Sequence, residues 1–211
     1  MAQSKELYEA ILNGDSKKAH AVTQAAIEAG TEPMTLISES MVPAMDEVGR
    51  LFECEEYFVP ELLLTGRAMK GAMELLKPLL TAADQKMAVR VVIGTVKGDL
   101  HDIGKNLVGM MAEGAGFELH DIGVDQSLDK FMAAAERCKP TIIGMSALLT
   151  TTMMYMKTVI DGFDAAGLTH IKMAIGGAPI SQMFADEIGA DGYGANASAA
   201  VDLFLRLTAQ A

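Results

Sequence analysis

Residues 88–109 read AVRVVIGTVKGDLHDIGKNLVG, and this stretch decides the architecture. Its first seven residues, AVRVVIG, form a short apolar run rich in β-branched side chains, the composition of a strand buried on both faces. A glycine-punctuated loop follows, Gly94-Thr95-Val96-Lys97-Gly98-Asp99-Leu100-His101-Asp102-Ile103-Gly104, and then a helical stretch expected over 102–115. The same texture recurs downstream as FELHDIG at 117–123, PTIIGMS at 140–146, IKMAIGG at 171–177 and DGYG at 191–194. Helices are expected between these runs at 127–138, 151–166 and 180–188, with a last one near 197–209. Such alternation predicts βα units wound into a parallel sheet.

Five strands in a right-handed, doubly wound sheet make a flavodoxin-like or Rossmann-like α/β sandwich. Ligands of such folds sit beyond the C-terminal strand ends, where the strand order reverses. Upstream the period changes. Ile37, Met41, Met45, Val48 and Phe52 recur at spacings of three and four, and so do Phe58, Leu62, Met69, Met73, Leu76 and Leu80, giving two helices with one apolar face each. Pro33 and Pro60 suit opening turns, whereas Pro43 falls inside its run and should kink or loosen that helix. With shorter helices near 4–12 and 15–29, the N-terminal part is a four-helix bundle. The short polar stretch TAADQKM at 81–87 is the linker, which divides the chain into a helical cap, 1–85, and a sheet domain, 86–211.

Composition narrows the function classes. The chain has 211 residues, half of them hydrophobic, which excludes disorder as its main state. Acidic residues exceed basic ones by 28 to 17, and a net charge of −11 repels phosphate backbones and anionic lipids, so neither nucleic acid nor membrane is an expected partner. The opening MAQSKELYEA has no basic or apolar leader character and no long apolar run follows, so a cytoplasmic protein is expected. Cys54 and Cys138 form no CxxC pair and no Cys/His cluster, which points to neither a zinc site nor a disulfide framework. Cys54 reads as a half-buried structural thiol, His20 and His170 as surface residues, and His120 as a strand-end residue without a role. Glu53, Glu55 and Glu56 form a solvated turn that could also orient a partner.

Three strand ends carry the chemistry. In the first, Asp99 stands two residues before His101, so its carboxylate can accept one ring N–H and leave the other nitrogen for a metal or a proton. After the third strand, Gly144-Met145-Ser146-Ala147-Leu148-Leu149-Thr150-Thr151-Thr152 is a hydroxyl-rich turn. After the fourth, Gly176-Gly177-Ala178 offers the small surface that a bulky group needs to lie against backbone. Each has an ordinary explanation alone, as a loop histidine, a helix cap or a turn. Together they fall at C-terminal strand ends, where one ligand could touch all of them.

Asp99/His101/Gly104, then Ser146/Leu148, then Gly176/Gly177 resemble the signature Asp-x-His-x-x-Gly, Ser-x-Leu, Gly-Gly of cobalamin-binding modules. These are the modules of methionine synthase and of the corrinoid proteins in anaerobic methyltransferase systems. VGRLFECEEYFVPELLLTGRAM at 48–69 is similar to that family's helical cap, and the chain length matches its free-standing methyl shuttles. The resemblance implies cobalamin or a related cobamide, bound base-off and His-on, with His101 as the lower axial ligand of cobalt in place of the cofactor's own base. Asp99 then holds the other ring nitrogen, and Thr152 bonds Asp99 to complete a proton relay. Asp102, Ile103 and Gly104 belong to the same binding loop. The displaced nucleotide tail would lie in a slot lined by Gly98, Ser146, Leu148, Thr150, Gly176, Gly177, Tyr193 and Ala197, where a side chain on any of the three glycines would fill the space. Phe52, Val59 and Leu62 match the cap positions over the upper face.

The resemblance further implies a carrier: cobalt(I) takes a methyl group from a substrate-specific methyltransferase, and a second methyltransferase passes it to tetrahydrofolate or coenzyme M. A reductive activase would be a third partner, since the chain has no iron–sulfur cysteine cluster. Three rivals share some of these features. One is the cobalamin-binding subunit of an adenosylcobalamin mutase, which generally lacks the cap. Another is a cobalamin-based sensor, against whose direct binding to DNA the acidic charge counts. The third is a flavodoxin-like module without cobalamin.

Overall fold

The computed structural model describes residues 2–80 and 89–209. They fold as two compact units, 2–80 with Met110–Phe117, and Val89–Gly109 with 118–209. The linker 81–87 lies outside the described residues. Among the described residues, no helix is long and apolar enough to cross a membrane.

The first unit is helical. Helix α1 spans Ala2–Leu12 and α2 Ser16–Glu28; the Asp15 carboxylate caps α2 by accepting from the Lys18 N–H at 3.0 Å. Helix α3, Pro33–Leu36, continues through a π-helical turn, Ile37–Met41, into α4, Val42–Glu53. The expected disturbance at Pro43 therefore takes the form of a π-turn rather than a break. Proline has no N–H to donate one turn back, and the ladder adjusts just before it, with the Val42 N–H donating five residues back to the Ile37 carbonyl.

Helix α5, Val59–Leu76, opens with Pro60 in its first turn, and Glu61 reaches back to accept from the Phe58 N–H at 3.0 Å. A single 3₁₀ turn, Lys77–Leu79, follows. Leu7, Ile11, Leu36, Met41, Val48, Met69 and Leu76 are buried, in agreement with the helical periodicity. Phe58 departs from it, remaining 58% exposed, because it precedes the first helical residue and so lies on no helix face.

The second unit is built on five parallel strands, β1 Arg90–Thr95, β2 Glu118–Asp121, β3 Ile142–Ser146, β4 Lys172–Gly176 and β5 Gly192–Gly194, in the order β2-β1-β3-β4-β5. The helices are α6 Ile103–Gly114, α7 Leu128–Cys138, α8 Thr150–Met153, α9 Tyr155–Ala165, α10 Gln182–Ile188 and α11 Ala197–Thr208. The single helix expected over 151–166 is two, divided at Met154. Val92, Ile143, Met145, Met173 and Ile175 from the strands pack with Phe131, Val159, Phe163 and Phe184 from the helices in one buried cluster. Thr95, Ser146 and Gly176 stand side by side in register, so three strands end level. The order reverses between β1 and β3, and the crevice of a doubly wound sheet opens there.

Candidate functional site

The loop after β1 turns sharply at Gly98, whose φ of +84° is a left-handed value that glycine accepts without penalty. That turn directs Asp99 inward, where it is fully buried, and leaves the His101 side chain 51% exposed at the strand ends. Asp99 Oδ1 accepts from the His101 N–H at 3.1 Å and lies 2.7 Å from ring Nδ1. Asp99 Oδ2 accepts from the Leu148 N–H at 2.8 Å, the Leu149 N–H at 3.3 Å and the Thr152 hydroxyl at 2.6 Å. The carboxylate thus ties the loop after β1 to the turn after β3. Burial opposes its ionisation. The hydrogen bonds from Thr152, from the Leu148 and His101 N–H groups and from the His101 ring outweigh that, and hold the carboxyl well below the usual carboxylate range.

An ionised carboxylate only accepts, so Nδ1 of His101 carries the proton of this bond and Nε2 of the neutral ring keeps its lone pair. Among the described residues no hydrogen bond engages Nε2. Thr95 adds a second restraint, donating its hydroxyl to the His101 carbonyl at 2.9 Å. On either side of His101 in the chain, Leu100 and Ile103 are the most exposed aliphatic side chains of the loop, at 70% and 74%. Among the described residues, no group of three or more His, Cys, Asp or Glu is placed to hold a bare ion. A single imidazole with one open nitrogen, flanked by exposed apolar side chains, instead suits a metal that brings its remaining ligands in a large, partly apolar cofactor.

The other strand ends contribute as follows. Ser146 closes β3, and its carbonyl accepts from the Val96 N–H at 3.0 Å. Leu148 and Thr150 are exposed, as are Asp102 and Gly104. Gly176 and Gly177 have backbone reasons beyond an open slot: a Cβ on Gly176 would lie 3.0 Å from the Gly194 carbonyl, and one on Gly177 only 1.8 Å from the Ala147 carbonyl. Gly177 also has a φ of +134°. Gly104 is different, with nothing within 4 Å of its position for a Cβ. Tyr193 on β5 is half-buried, and Ala197, the first residue of α11, is buried.

In the helical unit, Phe52 is half-buried and Val59 exposed, but Leu62 is only 1% exposed. The exposed apolar side chains near it are Phe58, Leu63 and Leu64. Leu62 is one turn from Val59, yet its direction is inward, so it presents no free surface. Cys54 is exposed rather than half-buried, within 3.9 Å of Arg50 Nη1. His20 and His170 are exposed, and His120 pairs with Glu118 on β2 at 3.1 Å.

Three hydrogen-bonding groups escaped the sequence reading. The Leu148 and Leu149 N–H groups bind Asp99 through backbone atoms, which carry no residue-type signal. Asp125 accepts from the Gly98 N–H at 2.7 Å from a loop 27 residues away. Only its left-handed φ of 54°, unusual outside glycine, singles it out, and that is a property of the structure.

Known proteins resemble the chain in both its parts. Residues 89–202 match a B12 binding domain family, and residues 3–77 match a second family described as a B12 binding domain. The chain is 44% identical over 173 residues to dimethylamine corrinoid protein 1 of Methanosarcina acetivorans, covering 81% of each chain. It is 38% identical to trimethylamine corrinoid protein 1 of the same organism, over 94% of this chain and 95% of the relative. Among solved structures, a chain of the methanol:cobalamin methyltransferase complex of Methanosarcina barkeri superposes with a TM-score of 0.86 at 30% identity, covering all of this chain and 81% of that one. The match of residues 89–202 to a B12 binding domain family, with 44% and 38% identity to the two corrinoid proteins, places the chain in the family of B12-binding corrinoid proteins of methyltransferase systems.

Proposed function

We propose that this chain is a methyl carrier that binds a cobamide base-off, with His101 Nε2 as the lower ligand of cobalt. When bound, the corrinoid supplies a metal that can take up a methyl group as a nucleophile and later release it to an acceptor. The observation that carries the reading is the pairing of buried Asp99 with His101 Nδ1, which leaves Nε2 open at the strand ends.

The chain's own residues orient the imidazole and manage one proton. Asp99 keeps the proton on Nδ1. Thr152 Oγ1 lies within reach of both Asp99 Oδ2 and the Leu149 carbonyl, so its hydroxyl can turn away if a proton settles on the carboxyl. Gly98, Ser146, Leu148, Thr150, Gly176, Gly177, Tyr193 and Ala197 would border the nucleotide tail, and Asp102, Ile103 and Gly104 the loop beneath the macrocycle. The domains would be a helical cap, 1–85, and a cobalamin-binding sheet domain, 86–211. Phe52, Val59 and Leu62 are the cap's apolar candidates from sequence; exposed Phe58, Leu63 and Leu64 join the first two, whereas buried Leu62 supports the cap from within.

The partners would be cytoplasmic: a substrate-specific methyltransferase, a second methyltransferase acting on tetrahydrofolate or coenzyme M, and a reductive activase. The names of the curated relatives favour a methylated amine as donor. Two measurements test this. His101→Ala should abolish the histidine-ligated absorption spectrum of the reconstituted cobalt(III) protein, and an unchanged spectrum refutes the ligand assignment. In single-turnover mixing with each component omitted in turn, methyl uptake should require the methyltransferase; efficient uptake from the free donor by this chain alone refutes the carrier.

A further inference from the structure

We infer that Asp125 is a positioning residue: it clamps the Gly98–Asp99 backbone and so sets the geometry in which Asp99 presents His101, an inference that rests on His101 being the ligand. Asp125 meets this two-residue segment at both ends. Its Oδ1 accepts from the Gly98 N–H at 2.7 Å, and its own N–H donates to the Asp99 carbonyl at 3.0 Å. Two opposed hydrogen bonds fix the segment against both sliding and rotation, which one bond cannot do.

The clamp is itself anchored. Before it, the Thr95 N–H donates to the Gly123 carbonyl at 2.9 Å, and after it the Gln126 N–H donates to the Thr95 carbonyl at 2.9 Å. The Asp121 carboxylate accepts from the Gly123 N–H at 2.8 Å and also holds the buried ammonium of Lys105. The loop after β2 is thus sewn to the end of β1 on either side of Asp125, while Thr95 Oγ1 holds the His101 carbonyl. Of the contacts that this loop makes to Gly98 and Asp99, the Asp125 side chain is the one that substitution can remove, because the other is backbone.

The position explains the residue type. Asp125 has a φ of 54°, a left-handed conformation that aspartate and asparagine tolerate better than other side chains. Asparagine therefore keeps both the conformation and an acceptor, whereas glycine keeps the conformation alone. Without the acceptor, the Gly98–Asp99 peptide can turn, and Asp99 Oδ1 no longer holds Nδ1 in the proton-bearing state.

The test uses the full chain without corrinoid. Imidazole ¹⁵N resonances report the His101 tautomer, and amide exchange reports the Gly98 N–H. In the parent, Nδ1 should carry the proton and the Gly98 amide should be protected. Asp125→Gly should shift the tautomer towards a mixture and speed Gly98 exchange by about tenfold or more, and Asp125→Asn should match the parent in both. Parent-like tautomer and protection in folded Asp125→Gly, or equal displacement in Asp125→Asn, overturns the inference. So does a fast-exchanging Gly98 amide in the folded parent, a check that needs no variant. An unchanged cobalt(III) spectrum in His101→Ala would remove the ligand reading but leave these corrinoid-free readouts as they are, so the two failures are distinguishable.

Discussion

Thr152 Oγ1 donates to Asp99 Oδ2 over 2.6 Å, across 53 residues of chain, and the same hydroxyl lies 3.0 Å from the Leu149 carbonyl. One hydroxyl proton therefore has two acceptors within reach, one of them a buried carboxylate. Loss of that hydroxyl should be felt even without corrinoid. Thr152→Val keeps the shape but removes one donor from a buried carboxylate, at a cost of about 1–3 kcal/mol, and Thr152→Ser should stay close to the parent. Urea unfolding of the corrinoid-free protein measures both.

The glycines should separate into structural and functional ones. Gly177→Ala combines a φ of +134° with a Cβ placed 1.8 Å from the Ala147 carbonyl, so the fold itself should lose several kcal/mol, roughly 3 or more. Gly104→Ala meets nothing within 4 Å and lies in the first turn of α6, so thermal unfolding without corrinoid should be unchanged or slightly raised. Corrinoid affinity of the same Gly104→Ala protein should nevertheless fall, as judged by titration. Equal affinity would take Gly104 out of the binding surface.

Acid should remove a defined contribution to stability. The Asp99 carboxyl is held well below its unfolded value, so its contribution is fully present above the unfolded carboxylate range, near pH 4. It declines as pH falls through the lower, folded value. Asp99→Asn should be less stable at neutral pH, and its urea midpoint should fall less steeply than the parent's as the solution is acidified below about pH 4. Parallel acid limbs for the two proteins would contradict the assignment.

The cap should divide by exposure. Leu62→Ala removes a buried side chain and should cost about 2–5 kcal/mol, whereas Phe58→Ala and Val59→Ala, at exposed positions, should change stability by less than about 1 kcal/mol. If exposed Phe58 and Val59 help to cover the cofactor, their double alanine variant should speed photolysis of the methylated holo-protein at equal light and oxygen. Indistinguishable photolysis rates would confine both residues to another role.

Local periodicity determined most of what the sequence by itself could determine here. The short runs from AVRVVIG to DGYG became β1 to β5, and the spacing from Ile37 to Phe52 became the π-turn and α4, because both patterns arise between neighbours in the chain. The pairing of Asp99 with His101 was legible for the same reason, as two residues on one loop. Tertiary structure decided the rest. Leu148, Leu149 and Thr152 reach Asp99 only because β3 lies beside β1 in register, with Thr95 level with Ser146. Asp125 reaches Gly98 only because β2 flanks β1 on the other side. Burial of Leu62 beside exposed Val59, and the approach of the Ala147 carbonyl to Gly177, depend on helix direction and strand spacing. Such contacts join segments dozens of residues apart through backbone atoms and register, quantities that residue type and short-range period do not encode.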